Sequence, residues 1–552
     1  MLVCVNSSWK IPVGYFFLNG LAGSEKAELV RKCLSFLHES GITVSSLTFD
    51  GAAVNFAMAS HLGADFKDPK QLKTSFTHPV TGDDVFIFLD PCHMIKLVRN
   101  TFGSQKLLND DANNQIDWNF IVRLCDAQYD QGLHLGTKLR SRHLGWSREK
   151  MKVKLATQTL SKSVADALLY LSQDLKSPQF ANAEPTARFV ELFSNIFDVF
   201  NSRNRFAKYH FKRPLSPATE DSFFEFLNKM EEYIHSLKLN NTPISQSPRK
   251  VGFLGFLICI KSLKLFYQKY CIESHHLKYV LTNKLSQDHL ELFFGAIRSK
   301  GGFNNNPSAR QFEAAYKRLL VHTEIGGPSS GNISLNENLP ILSCGSGQKL
   351  TVDDEGTDML STTEYSDFLQ KIKNDIAIYQ SSSYAWGLTM FNEDVVAYIS
   401  GFVVRSLKKY ISCEKCKDLL ESETVVSLLQ RRKQFGNLII ASAMVINVCR
   451  AAEKYFRFFS KTTGLFNSHV KNVSLLLINN TMETLPSTIF SFFQNHLYDD
   501  DPIDGHASQL IKLILKQYFN LRIHHETVKK ADESRSTRIR SVFTKTILFS
   551  HQ

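Results

Sequence analysis

Apolar positions fall into two regimes along the chain. Up to about residue 100, short apolar runs alternate with one amphipathic segment. "LVCVN" (2–6), "VGYFFLNG" (13–20), "TVSSLTFD" (43–50) and "VFIFLD" (85–90) read as strands. "GSEKAELVRKCLSFLHES" (23–40) places Leu29, Val30, Cys33, Leu34, Phe36 and Leu37 at helical spacing. This alternation predicts an α/β unit with at least part of its sheet parallel. From about 104 to 280 the period changes to 3.6. Four segments, 150–175, 186–204, 219–239 and 252–270, carry helical stripes, and no alternating strand of useful length is read between them. Residues 285–322 predict a helix, a Gly/Asn-rich loop and a second helix. The stretch 324–364, with "GGPSSGN", "SCGSGQ" and "DDEGTD", predicts a solvated linker. The remainder, 365–552, is mostly helical and ends in the basic "KKADESRSTRIRSVFTK" (529–545). No internal repeat is visible.

Length changes this picture by requiring several cores, since 552 residues exceed a single domain. The 42 phenylalanines predict aromatic-rich interiors. A formal net charge of +12 favours an anionic partner, nucleic acid first. The ten cysteines stand mostly alone, a pattern suited to a reducing compartment. No apolar run is read as approaching the roughly 18–20 residues of a membrane span. The opening segment is broken by Asn6, Lys10 and Pro12 and makes a poor signal peptide. The expectation is a soluble intracellular chain without a membrane partner.

Candidate chemistry begins at two strand ends. Asp50 and Asp90 both close an apolar run, where open α/β sheets gather their ligands. Carboxylates there can hold two Mg²⁺ for phosphoryl transfer. By spacing alone each reads first as a helix cap, and Asp90 before Pro91 has the orthodox form. His93 reads as a packed or capping residue. Asp288 and Glu291 in "SQDHLELFF" share a helix face and serve equally as an acidic first turn. In "IFDVFNS", Phe197 could stack on a base, and Asp198 and Asn201 could read its edge. Phe189, Phe193, Phe197 and Phe200 also form a core stripe. There is no G-x-x-x-x-G-K-[ST] loop, which argues against a P-loop hydrolase. Cys413 and Cys416 form a single C-x-x-C and lack the second pair of a zinc site.

The order and wording of these motifs carry more than each alone. "NSSWKIPVGYFFLNGL", "SLTFDGAAVNFAM", "FLDPCHMIKLVRN", "IFDVFNS", "DHLELFFGAIRSKGGFNNNPSARQFEAAYKRLL" and "YISGFVVRSL", in that order, strongly resemble the P-element transposases and their animal THAP-domain relatives. The resemblance runs collinearly through essentially the whole chain. It implies an RNase H-like α/β core (1–103 and 281–323) interrupted by an all-α GTP-binding insertion domain (104–280). After the linker, 365–552 would form a mostly helical C-terminal domain. It further implies cut-and-paste transposition by two-metal DNA cleavage and strand transfer, with Mg²⁺ or Mn²⁺ as cofactor. GTP would act as an assembly cofactor, transposon ends and a second copy of the chain as partners, and the nucleus as location. By position, Asp50 and Glu291 match members of the family's Asp, Asp, Glu set, as catalytic residues and metal ligands. Asp90 stays a cap or supporting residue. Phe197 resembles the stacking aromatic, Asp198 and Asn201 the guanine-reading pair, Asp288 a further contact, and Lys138 and Lys152 the phosphate-side lysines.

Two features of the family have no counterpart in these residues: the zinc-coordinating THAP module and the first catalytic aspartate. The expectation is an incomplete ligand set and a sheet edge left unpaired. Loss of a shared ligand would cost on the order of 10³-fold in rate. The chain alone would then not transpose DNA, and a non-catalytic GTP- and DNA-binding protein is the alternative. A third reading, a protein-interaction scaffold, would use the helical C-terminal region.

Overall fold

The computed structural model describes residues 1–18, 20–300, 306–321, 370, 373–374, 376–379, 387–436, 438–462, 473–493 and 506–533. They divide into two units, 1–127 with 137–350, and 128–136 with 351–552. The linker read over 324–364 lies outside the described residues, as does most of the Gly/Asn-rich loop.

In the first unit, β1 (Leu2–Val3) and β2 (Lys10–Ile11) form a small antiparallel pair ahead of α1 (Gly23–Glu39). Then follow β3 (Ser46–Phe49), α2 (Ala53–Leu62), β4 (Ser75–Thr77), β5 (Asp84–Leu89) and α3 (Pro91–Gln105). The run Val85–Leu89 is wholly buried because β5 is the central strand, parallel to β3 on one side and antiparallel to β4 on the other. Register pairs Phe49 with Leu89, so Asp50 and Asp90 leave the sheet side by side. The mixed sheet with flanking helices agrees with the α/β reading. "VGYFFLNG" does not form a strand. The side chains of residues 15–18 are exposed, and Tyr15 and Phe17 meet Phe312 edge-on.

The insertion is not all-α. Beyond β5, β6 (Leu107–Asn109), β7 (Gln115–Asp117), β8 (Lys238–Leu239) and β9 (Thr242–Pro243) form a four-stranded sheet in the order β7-β6-β8-β9. Strands of two or three residues are too short to show alternation. Around this sheet lie α4 (Asn119–Gln131), α5 (Ser141–Leu144), α6 (Val153–Thr159), α7 (Lys162–Leu169), α8 (Glu184–Phe200) and α9 (Glu220–Ser236).

The next helix, α10 (Val251–Tyr267), corrects two expectations. The expected insertion, 104–280, includes it, yet in the structure it lies on the core sheet: Cys259 Sγ donates to Leu89 O at 3.2 Å and Ser262 Oγ to Ile87 O at 2.5 Å. With its π-helical extension it spans Val251–Glu273 and includes an 18-residue window of mean hydropathy 1.4, long and apolar enough to cross a membrane, contrary to the reading that no run approaches that length. Here 72% of that window is buried inside the fold, which accounts for its apolarity as a core helix. Gly252 lets α10 approach α3. A β-carbon there would sit 2.9 Å from Leu97 Cβ, 3.0 Å from Val98 N and 3.1 Å from Met94 O. Two of those atoms are backbone, so Gly252→Ala is expected to cost about 1–3 kcal/mol in urea-unfolding stability. α11 (Asp288–Lys300) and α12 (Ala309–Val321) complete the unit.

The second unit is helical, as expected for the C-terminal region, with its longest helices at Met390–Leu407, Ala443–Thr462 and His506–Glu533. Its core holds a charged network. Glu453, fully buried, accepts from Arg457 Nε at 2.9 Å, Arg522 Nε at 2.8 Å and Tyr518 Oη at 2.7 Å. Removing one donor leaves a carboxylate lone pair unmet. Tyr518→Phe should therefore lower unfolding stability by about 1–3 kcal/mol. Cys413 precedes the short helix Glu414–Asp418 and Cys416 is buried within it.

Candidate active site

The candidate residues converge beyond the C-terminal ends of β3 and β5. Asp90 continues β5, caps α3 by accepting from His93 N at 3.1 Å, and accepts from Gln287 N at 3.2 Å. The second bond draws the start of α11 onto the strand ends, and Thr48 Oγ1, donating to Leu285 O at 2.9 Å, reinforces it. Asp288 and Glu291 are thereby placed beside α3. His93 Nε2 lies 3.6 Å from Glu291 Oε1 and 4.0 Å from Asp90 Oδ2. Cys92 Sγ donates to Asp288 Oδ1 at 3.3 Å.

Among the described residues two sets of donor groups form, each with its atoms within 4.8 Å of one another: Asp90–His93–Glu291 and Asp90–Cys92–Asp288. The first, two carboxylates and an imidazole, suits a hard divalent cation such as Mg²⁺ or Mn²⁺. Asp50 belongs to neither set. Its Oδ1 accepts from Asn55 Nδ2 at 2.6 Å and Ala52 N at 3.1 Å, one strand away from Asp90.

Electrostatics divide the carboxyls. Burial, with Asp288 close by, raises Asp90 to about 6, while His93 partly opposes this. Asp288 is also raised by burial, against the pull of Arg203. Glu291, half-exposed, is held below its usual range chiefly by His93. Burial and the adjacent Asp288 push the Cys92 thiol well above its ordinary value.

The nucleotide candidates sit at the end of α8. Phe189, Phe193 and Phe200 fill the core, whereas Phe197 is half-buried and turned from the stripe's buried centre. Asp198 lies 3.6 Å from Lys212 Nζ, and its carboxyl is raised to about 6 by burial despite that lysine. Asn201 Oδ1 accepts from Arg203 Nε at 3.0 Å, and Arg203 Nη2 reaches Asp288 Oδ2 at 2.5 Å. The structure thus joins Asn201 to Asp288 through Arg203. A half-buried aromatic and three amide or carboxylate acceptors suit a guanine base. Lys138 and Lys152 are both exposed, and no described contact joins either to Phe197, Asp198 or Asn201.

Cys92, Arg203 and Lys212 carry no signal in the sequence, where His93 reads as a packed or capping residue. The signal for His93 was its place one turn after Asp90. Arg203 and Asp288 are 85 residues apart, and no local pattern connects them.

A mixed sheet with carboxylates gathered at its strand ends, joined to an inserted α/β segment, is the arrangement that the comparisons with known proteins match. Family models match in the corresponding order. Residues 1–63 match the TNP-like RNase H N-terminal domain, 92–214 the TNP-like GTP-binding insertion domain, and 283–317 the TNP-like RNase H C-terminal domain. Residues 387–528 match the C-terminal domain of DNA transposase THAP9. The human DNA transposase THAP9 is 30% identical over 542 residues, covering 95% of this chain and 58% of the relative. The Drosophila melanogaster transposable element P transposase is 30% identical over 327 residues, 57% of this chain and 40% of the relative. Among solved structures, the Drosophila P element transposase strand transfer complex aligns with a TM-score of 0.50 at 26% identity, covering 57% of this chain and 68% of that one. By these matches the chain is similar, over nearly its whole length, to the P-element-type transposases and their THAP-domain relatives. It spans 58% and 40% of the lengths of the two curated relatives.

Proposed function

We propose that the chain is the DNA-strand-transfer core of a P-element/THAP-type transposase, acting on transposon ends with a divalent cation and with guanine nucleotide as an assembly cofactor. One observation carries the reading. The cation-competent set Asp90–His93–Glu291 is built at the strand ends, and Asp288, three residues before Glu291 on the same helix, is hydrogen-bonded to Arg203 of the segment matched as GTP-binding. A divalent cation held there would activate an attacking hydroxyl and stabilise a leaving oxygen. Glu291 and Asp90 supply its anionic ligands, His93 orients Glu291, and Asp50 on the neighbouring strand end supplies a further carboxylate on turning from Asn55. Phe197, Asp198 and Asn201 hold the base, with Lys138 and Lys152 on the phosphate side. Transposon ends are the proposed DNA partner, in the nucleus and in a homo-oligomer.

The test is incubation of the purified chain with cognate DNA ends, GTP and Mn²⁺. Because Asp90, His93 and Glu291 form a compact donor set, metal-dependent nicking or joining is the result this reading expects, against the inactivity expected from an incomplete ligand set. A specific observation favours a second reading: the 2.6 Å bond from Asn55 commits Asp50 elsewhere. Binding of guanine nucleotide and DNA without any cleavage would establish that reading, a non-catalytic binding protein.

A further inference from the structure

Asp288 is 5% exposed and both its carboxylate oxygens are engaged, Oδ1 by Cys92 and Oδ2 by Arg203. Arg203 simultaneously donates to Asn201 Oδ1, so an amide oxygen and a carboxylate oxygen together grip one guanidinium. That acceptor pair is complementary to a planar fork of N–H donors. Guanine presents three N–H donors along its N1–H and N2–H₂ edge, without the positive charge; with two of them taken by Asp198, the remaining N–H falls to this pair.

The surroundings are fixed by further bonds. Ser202 N donates to Thr282 Oγ1 at 3.1 Å, Thr282 Oγ1 to Val199 O at 2.5 Å, and Asn283 N to Ser202 O at 3.2 Å. The end of α8 is thereby strapped to the approach to α11, and the Arg203 side chain beside it is 38% exposed. Asp288 lies in the same donor group as Asp90, itself a member of the cation-competent set.

Resting on the guanine-site reading above, we propose that Arg203 is an internal competitor for the guanine edge at Asn201 and Asp288, whose displacement strengthens cation binding at Asp90–His93–Glu291. Exchange of a guanidinium for a neutral base removes one positive charge from Asp288. The uncompensated carboxylate then adds its field to the neighbouring cation site. Within the usual range of coupling between sites, this is put at about a tenfold gain in cation affinity. Reciprocity requires the cation to tighten base binding by the same factor.

The test uses the full chain, Mn²⁺ followed by electron paramagnetic resonance, and guanosine, which lacks the phosphates that would chelate the metal. Guanosine should tighten Mn²⁺ binding about tenfold in the unmodified chain. Arg203→Gln should bind Mn²⁺ tightly without guanosine, gain nothing further on its addition, and bind guanosine at least as well as the parent. Arg203→Lys retains the charge but loses the fork. It should bind guanosine more tightly than the parent and keep the coupling, and it carries the test if the glutamine variant does not fold. Guanosine binding weakened tenfold in both variants would overturn the proposal, making Arg203 a direct contact. Guanosine binding without coupling in the parent chain would also overturn it, with the guanine-site reading intact. No binding of guanosine or GTP by the parent would defeat that reading itself.

Discussion

Glu291→Gln is expected to weaken Mn²⁺ binding by about 100-fold or more and to lower metal-dependent DNA cleavage by about 10³-fold. Glu291 is an anionic member of a compact donor set, and its contact with His93 keeps it ionised below the usual carboxylate range. Glutamine has nearly the same shape but supplies a neutral, weaker oxygen to a hard cation. The half-exposed position makes the change tolerable to the fold, so unfolding stability should move little. pH offers a parallel reading. Asp90, lifted to about 6 by burial, takes up a proton as pH falls through that value. Mn²⁺ affinity should therefore decline below pH 6 in both the parent and the variant, because Asp90 remains in each. Retention of Mn²⁺ affinity within threefold in Glu291→Gln would remove Glu291 from the ligand set.

The parts of this arrangement legible in the sequence are those with a local signature. Val85–Leu89 is an uninterrupted apolar run closed by Asp-Pro, and it forms the central strand with Asp90 capping α3. The stripe of α8 and the acidic start of α11 were equally visible as periodicity. What escaped was whatever depends on tertiary placement. Helical period identifies α10 as buried but does not say whether it packs on other helices or on the sheet, where Cys259 and Ser262 reach Leu89 and Ile87. The strands β6 to β9 are too short for any pattern to develop. Asp90 carries two roles, cap and cluster member, and spacing discloses only the first. The resemblance pairs Asp50 with Glu291, whereas the described side chains group Glu291 with Asp90 and His93. The Arg203–Asp288 link joins two segments whose proximity only the folded chain creates.

Asp198→Asn is expected to reduce GTP affinity by about 100-fold or more, and the reason lies in the pattern of donors. A carboxylate accepts both N1–H and N2–H₂ of guanine. Asparagine offers one acceptor and turns an NH₂ group against a donor, leaving polar groups unpaired in a largely enclosed site. Xanthine replaces the 2-amino group with a carbonyl, so the asparagine variant should recover affinity for xanthosine triphosphate, a gain that simple misfolding would not give. The pH dependence follows from burial. With its carboxyl raised to about 6, Asp198 is ionised at pH 7.5 and becomes protonated as pH falls through 6. GTP affinity of the parent chain should therefore fall about tenfold per unit below that point, in excess of any fall in Asp198→Asn. The stability linkage has the opposite sense. Because the folded value exceeds that of an unfolded aspartate, the folded state holds more protons between about 4 and 6. Asp198 then contributes stability that is present at low pH and lost as pH rises through 6, with Lys212 limiting the loss. Bound guanine, donating to the same carboxylate, would offset that cost at neutral pH. Calorimetric titration across pH 5–8 should therefore find GTP stabilising the parent chain most strongly above 6.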